Sequence, residues 1–454
     1  MASAADRMQN SISLAKFAQA TELRKRLWFT IGALIVFRLL SYVPLPGIDP
    51  TALGLLSNQT TGGVLDLFNN FSGGALKRMS LIALGVTPYI TASIVVQLAT
   101  SLSPTLAAIK KEGEAGRKRL NQYTRYGTVG LTIIQGYFIA AGLETFGASQ
   151  GVAAVIEPGV MFRLGAVVSL VGGTMFLMWL GEQITSRGIG NGVSLIIMAG
   201  IVANLPTTLY NLFESGRTGS LDGFRLVGII AAVVGLVLLI CFMERAQRRI
   251  LIQYPKRQTR TGMQADRSHL PLKLNTAGVI PPIFASSLLL MPLTITQFAG
   301  SYAAGQSQWG DFVLTLNQYL QHGSLLYMSL YGLGIIFFAF FYTAVVFNPE
   351  ETADNLKRYG GFIPGIRPGK NTEVYFDYVL TRITVLGAAY LAFICLVPEY
   401  LVSALGIPFY LGGTSLLIVV NVTMDTVTQI QSHLLAHQYG DLIKKAKLKG
   451  GRLR

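Results

Sequence analysis

Residues 226–243 read Leu-Val-Gly-Ile-Ile-Ala-Ala-Val-Val-Gly-Leu-Val-Leu-Leu-Ile-Cys-Phe-Met, and residues 244–249 read Glu-Arg-Ala-Gln-Arg-Arg. The first run carries no charge and approaches the length of about 20 residues that a helix needs to cross the hydrocarbon core of a bilayer. The second is a basic segment at its edge, and such segments gather on the cytoplasmic side of membrane helices. Together they predict a membrane protein, provided that apolar runs recur and positive charge falls on one side.

Both conditions are met. Runs of similar length recur at about 27–43, 79–102, 126–143, 160–180, 189–210, 275–298, 324–347, 378–397 and 408–430, making ten predicted spans with 226–243. The 454 residues are 51% hydrophobic and 13% charged, with mean hydropathy +0.48. Soluble proteins carry about 25% charged residues. The composition excludes a disordered chain and argues against a soluble enzyme. Lys and Arg number 37 against 22 Asp and Glu, for a net charge of +15 and a pI near 9.8. With the N-terminus inside, 31 of those 37 fall in cytoplasmic segments, counting Arg382 with the loop before it. Lys77, Arg78, Arg163, Arg217 and Arg225 fall outside, and Arg38 lies within span 1. Arg38 and the Pro44-Leu45-Pro46-Gly47 turn also argue against a cleavable signal peptide.

The predicted fold is an all-α polytopic membrane protein with ten transmembrane helices and both termini cytoplasmic. A tail (1–26) precedes a first half (27–210). A second half (226–430) carries cytoplasmic loops at 244–274 and 348–377, and a tail (431–454) follows. Five spans per half is an odd number, so the second half is inverted relative to the first. This repeat rests on topology alone.

Catalytic signatures are missing. The sequence has no Walker A motif, no His-Glu-x-x-His and no Gly-x-Ser-x-Gly. Glu112 to Gly116 is a polar loop rather than a phosphate cradle, and Glu350-Glu351 after Pro349 suits a helix N-terminus. Cys241 and Cys395 lie in apolar runs and read as small buried hydrophobes. His433 and His437 have no third ligand arranged beside them. Neither an enzyme nor a cofactor is expected. Apart from residues counted at the faces, the spans hold Arg38 and Asp425, and Asp425 is near a cytoplasmic end. Ion-coupled transporters usually place ionisable groups near the midplane. The rival reading, an inverted-repeat secondary transporter, therefore lacks its usual residues. Gln97, Gln135, Thr87, Thr91 and Asn421 supply neutral polarity instead.

Three features leave alternatives open. Segment 64–76 is too short to cross, with Leu65, Phe68 and Phe71 on one helical face, Asn69 and Asn70 on another, and Gly73-Gly74 breaking it. It is either an interfacial helix or a re-entrant piece capping a cavity. Pro88 in span 2 and Pro281-Pro282 in span 7 are either ordinary kinks or hinges of a moving element. The long basic loops either fix topology or also form a docking surface for RNA, an acidic protein or acidic lipid.

Phe71 to Leu76, Pro88 to Ile94, Gln122 to Gly127, Gly188 to Gly192, Gly278 to Phe284, Phe347 to Leu356, Gly365 to Gly369 and Pro408 to Ser415 are motifs of one known family in the expected order. On these the chain resembles the SecY family of bacterial protein-translocation channels over essentially its whole length. The resemblance implies two halves clamped around an hourglass pore. It implies a plug over 64–76, comprising Leu65, Phe68, Asn69, Asn70, Phe71, Gly73 and Gly74. It implies a waist lined by Val86, Ile90, Val193, Ile197, Ile283 and Ile418. Within that set Val86/Ile90 and Val193/Ile197 are i,i+4 pairs that share a helix face. It further implies a lateral gate hinged at Pro88, Pro281 and Pro282, where signal sequences and membrane spans pass into lipid. SecE and SecG are the implied membrane partners. The SecA ATPase and the ribosome would dock at Arg245, Arg248, Arg249, Lys256, Arg257, Arg260, Arg367 and Lys370. Nascent polypeptides and anionic lipids complete the implied contacts, in the bacterial plasma (inner) membrane.

Overall fold

A computed structural model describes residues 21–49, 72–145, 154–219, 222–254, 257–259, 262–264, 267–289, 324–405 and 412–450. The first half contains α1 (Thr21–Leu40), α2 (Thr87–Leu102), α3 (Pro104–Lys111), α4 (Glu114–Thr145), α5 (Val160–Arg187) and α6 (Gly192–Arg217). The second begins with α7 (Gly223–Arg245) and continues through strands β1 (Gln247–Gln253), β2 (Arg257–Thr259), β3 (Gly262–Gln264) and β4 (Arg267–Lys273). Helices α8 (Ile280–Leu289), α9 (Leu325–Val346), α10 (Pro349–Arg358), α11 (Lys370–Leu405) and α12 (Gly413–Gly450) follow.

Among the described residues six helices are long and apolar enough to cross a membrane. A seventh span arises if α2 and α3, bent by 100° at their junction, count together. Of the other predicted spans, 27–43 falls on α1, 408–430 on α12, and 275–298 is described as helix over Ile280–Leu289. The outward faces suit lipid: Phe224 is 91% exposed, Phe242 72% and Leu238 65% on α7. In water an apolar surface of that extent would drive association.

Packing follows the two-half division. Helix α4 lies against α2 and α5, and α5 against α1 and α6; α11 lies against α9, α10 and α12. The halves meet where α12 contacts α1 and α6, and where α6 contacts α7. One apolar core runs through both halves, with Phe37, Ile94, Leu177 and Ile196 from the first and Ile335, Leu391, Ile394 and Leu417 from the second. At the seam the Gly190 N–H donates to Gln429 Oε1 at 2.8 Å.

The halves also echo each other in sequence, which topology alone had not revealed. Gly85-Val86-Thr87-Pro88-Tyr89-Ile90 and Gly278-Val279-Ile280-Pro281-Pro282-Ile283 agree at four of six positions. Gly192-Val193-Ser194-Leu195-Ile196-Ile197 and Gly413-Thr414-Ser415-Leu416-Leu417-Ile418 also agree at four of six. Each echo has one geometry. Gly85 and Gly278 have φ of +57° and +64°, a left-handed turn before a helix. A Cβ on Gly192 would lie 1.9 Å from the Gly181 carbonyl of α5, and one on Gly413 would lie 1.8 Å from the Ile394 carbonyl of α11.

Three expectations change. Pro88 does not interrupt a helix, because residues 72–86 are turns and α2 starts at Thr87. Pro281 and Pro282 likewise sit in the first turn of α8. Proline suits that position, where its fixed φ fits and no intrahelical N–H bond is lost. The prolines inside described helices are Pro206 in α6 and Pro398 in α11.

The loop at 244–274 is not plain coil. β1 pairs antiparallel with β4, with Ile250 opposite Leu270 and Arg248 opposite Leu272. Its tip pairs β2 with β3. The alternation of exposed Arg249, buried Ile250 and buried Ile252 is the strand signal that was missed.

Finally, charge within the helices is not confined to Arg38, which is half-buried, and Asp425, which is exposed. Glu244 and Glu399 are each 7% exposed, because α7 and α11 continue past their apolar runs. At 348–351 the expectation holds: Asn348 caps α10, its side chain accepting from the Glu350 and Glu351 N–H groups.

Candidate functional site

The six predicted waist residues come from four helices that start at the two echoed motifs. Val86 caps α2, and the Ile90 N–H donates to its carbonyl at 3.1 Å, which sets the pair one turn apart. Val193 and Ile197 occupy the first two turns of α6. That helix is capped by Asn191, whose side chain accepts from the Val193 and Ser194 N–H groups. Ile283 lies on α8 and Ile418 on α12. The structure brings all six into one apolar cluster. Val86, Ile197 and Ile418 are buried within it, and Ile90, Val193 and Ile283 are half-buried against it. An aliphatic collar offers no hydrogen bonds to water or ions, so a narrow one closes by dewetting.

Of the predicted plug, Gly73 and Gly74 are described; Leu65, Phe68, Asn69, Asn70 and Phe71 lie outside the described residues. Both glycines are buried, with φ of +68° and +86°. Arg38 Nη1 donates to the Gly73 carbonyl at 2.6 Å. Arg78 donates from Nη2 to the same oxygen at 3.2 Å and from Nε to the Gly74 carbonyl at 3.1 Å. Both guanidinium groups lie over the Tyr42 ring, Arg78 at 4.1 Å from its centroid and Arg38 at 5.4 Å. The charge in span 1 is thus a backbone ligand, a role the sequence did not suggest.

At the predicted gate, α8 packs on α9 through Phe284, whose ring meets Phe338 and Tyr342 edge-on at 5.8 and 6.3 Å. Helix α4, beside α2, carries Gln135, 1% exposed with neither amide atom hydrogen-bonded. Gln97 Oε1 on α2 is also buried without a partner. Each such group costs about 1–3 kcal/mol in desolvation. These amides make the packing around α2 and α4 less favourable than an apolar one.

Five of the predicted docking residues lie on one platform. Arg245, Arg248 and Arg249 are exposed at the end of α7 and on β1, and Arg367 and Lys370 are exposed before and at the start of α11. Arg257 lies on β2; Lys256 and Arg260 fall outside the described residues. The two loops are joined: Gln253 and Phe362 exchange both backbone hydrogen bonds at 2.9 Å. Ile250 and Leu272 of the hairpin share an apolar cluster with Ala353, Ile363, Phe376 and Leu380. A platform with its own core presents cations in a fixed pattern rather than on loose coil.

The profile of the SecY family matches residues 80–427. The protein translocase subunit SecY of Escherichia coli (strain K12) is 54% identical over 430 residues, covering 94% of this chain and 96% of that protein. The subunit of Vibrio cholerae is 53% identical over 431 residues, covering 95% and 96%. That of Pseudomonas aeruginosa is 51% identical over 443, covering 97% and 98%. Among solved structures, a protein-conducting channel superposes with a TM-score of 0.63 at 16% identity, covering 90% of this chain and 92% of the other. Sec61 from a canine ribosome–channel complex superposes with a TM-score of 0.61 at 14% identity, with the same coverage. The latter two share the fold. Sequence identity over nearly the full length carries the assignment further: this chain is a multi-pass membrane protein and belongs to the SecY family.

Proposed function

We propose that the chain is the protein-conducting channel subunit of a Sec translocase. It passes unfolded polypeptides across the bacterial plasma membrane and releases membrane spans sideways into lipid. The observation that supports this reading is that six aliphatic side chains from α2, α6, α8 and α12 all belong to the apolar core that runs through both halves. Such a waist is indifferent to the sequence passing through it, because it makes no directional bonds, and it can seal around a moving chain. Segment 64–76 is the plug, released or held at Gly73-Gly74. Helices α2 and α8 border the lateral gate, where apolar segments partition into lipid with about 25 cal/mol per Å² of buried apolar area.

Energy enters from partners. The basic platform docks the SecA motor or the ribosome, and both chain termini lie on that cytoplasmic side. SecE and SecG complete the membrane complex, and anionic lipid meets the remaining basic surface. The test of the waist is conductance. Substituting Asn singly for Ile90, Ile197, Ile283 or Ile418 introduces a hydrogen-bonding wall. Resting ion leak through the reconstituted complex should rise; unchanged leak in all four variants would refute the waist.

A further inference from the structure

The hairpin and α8 are separated by a short connection, from Lys273 at the end of β4 to Ile280. That connection is fastened at nearly every step. The Leu274 N–H donates to the Ala246 carbonyl at 3.0 Å, extending the ladder by one bond. Asn275, 4% exposed, then spends its whole side-chain amide. Its Nδ2 donates to Glu244 Oε1 at 2.6 Å and to the Gly278 carbonyl at 3.0 Å. Its Oδ1 accepts from the Gly278 N–H at 3.0 Å. Gly278 carries the left-handed turn that starts α8. Helix α11 closes over the same point: a Cβ on Gly387 would lie 2.8 Å from the Leu274 carbonyl.

Glu244 is the last residue but one of α7 and is 7% exposed. A buried carboxylate is costly unless hydrogen-bonded. A 2.6 Å bond to an amide is the short, charge-assisted kind. Separating Asn275 from Glu244 therefore leaves a buried carboxyl without that donor. In the structure the junction is fastened. The hairpin on one side of it is joined to the 348–377 loop through Gln253 and Phe362. The helix on its other side bears Ile283 and begins at the left-handed turn.

We propose that Glu244 and Asn275 are positioning residues that couple the cytoplasmic hairpin to the start of α8. A partner that displaces the hairpin draws Asn275 from Glu244 and frees the turn at Gly278, so docking shifts the gate helix. This rests on the reading of α8 as a gate helix given above.

The experiment uses membrane vesicles carrying the full channel complex, matched for the amount of this chain. Export is measured for a substrate with an intact apolar signal segment and for one with a charge placed in that segment. Glu244→Leu and Asn275→Ala should each raise export of the defective substrate about tenfold relative to wild type, the scale of one lost charge-assisted hydrogen bond. Glu244→Gln keeps a carbonyl oxygen for Asn275 and should stay within about twofold of wild type. The double variant should relax no further than Asn275→Ala alone, since that variant already removes the Glu244 bond along with both bonds to Gly278. If either single variant fails to accumulate, the other carries the test. Wild-type discrimination in the Leu and Ala variants would overturn the proposal, as would Gln behaving like Leu or additive effects in the double variant. Wild-type vesicles that export neither substrate would instead overturn the channel reading itself.

Discussion

The chain turns twice into a helix begun by proline, at Gly85 and at Gly278, and the two turns are held by different forces. The first ends residues 72–86, a mostly buried coil that Arg38 and Arg78 bind at its start and that is closed towards Gly85 by backbone bonds such as Met79 N–H to the Leu76 carbonyl at 3.0 Å and Gly85 N–H to the Ile82 carbonyl at 2.9 Å. It is pressed against α5, where a Cβ on Gly173 would lie 2.0 Å from the Leu81 carbonyl. The second turn is held by side chains, through Asn275 and a buried carboxylate. Apolar packing is close to all-or-none, because interiors have little free volume. A polar latch can open at one bond. The difference teaches that one fold motif, used twice, is an anchor in one half and a junction to the basic platform in the other.

The equivalence of the halves can be broken most severely at their tightest helix starts. Gly192→Ala and Gly413→Ala each push a Cβ into a neighbouring carbonyl. Overpacking against backbone should cost about 3 kcal/mol or more. We expect both variants to fail to accumulate in membranes, and normal accumulation of one alone would end the equivalence. A smaller effect is expected at the left-handed turns. A Cβ on Gly85 or Gly278 meets neighbours at 3.7 and 3.8 Å, which is ordinary contact. Alanine there should cost only the left-handed backbone, about 1–2 kcal/mol in either half. Thermal unfolding of the detergent-purified complex measures this, and equal losses would sharpen the comparison.

The smallest effect tests a difference. Helix α6 has a side-chain cap at Asn191, where α12 is preceded by Gly412. Asn191→Ala should cost about 1 kcal/mol and Asn191→Gly only a few tenths. The glycine variant would convert one half's helix start into the other's, and the same unfolding measurement would detect a larger loss.

Much of the architecture is legible without coordinates, because the length of an apolar run and the side on which arginines fall are local properties. Runs such as 226–243 needed no tertiary information to be read as spans. What escaped was set by packing. Glu244 and Glu399 read as loop residues because apolar runs stop before helices do. The hairpin escaped because a basic loop masks the alternation of Ile250 and Ile252. The proline helix starts escaped because only the fold reveals that residues 72–86 are turns. The waist residues form i,i+4 pairs in the sequence, yet nothing in periodicity separates them from other core aliphatics. Their proposed role comes from family resemblance. The paired Gly-Val-x-Pro-x-Ile and Gly-x-Ser-Leu-x-Ile segments were visible throughout, once the halves were aligned by their glycines.

Arg38 bears on how the chain is assembled during synthesis. An arginine at the centre of an inserting helix costs about 2.5–3.5 kcal/mol, less toward its ends. Here the Gly73 carbonyl that receives its guanidinium lies 35 residues further along. At the usual pace of about 5–20 residues per second, that acceptor is made seconds after α1 itself. Arg38 thus acquires its Gly73 ligand only after α1 itself has been synthesised. Its final seat is secured by chain made later, so α1 settles as part of a group rather than alone.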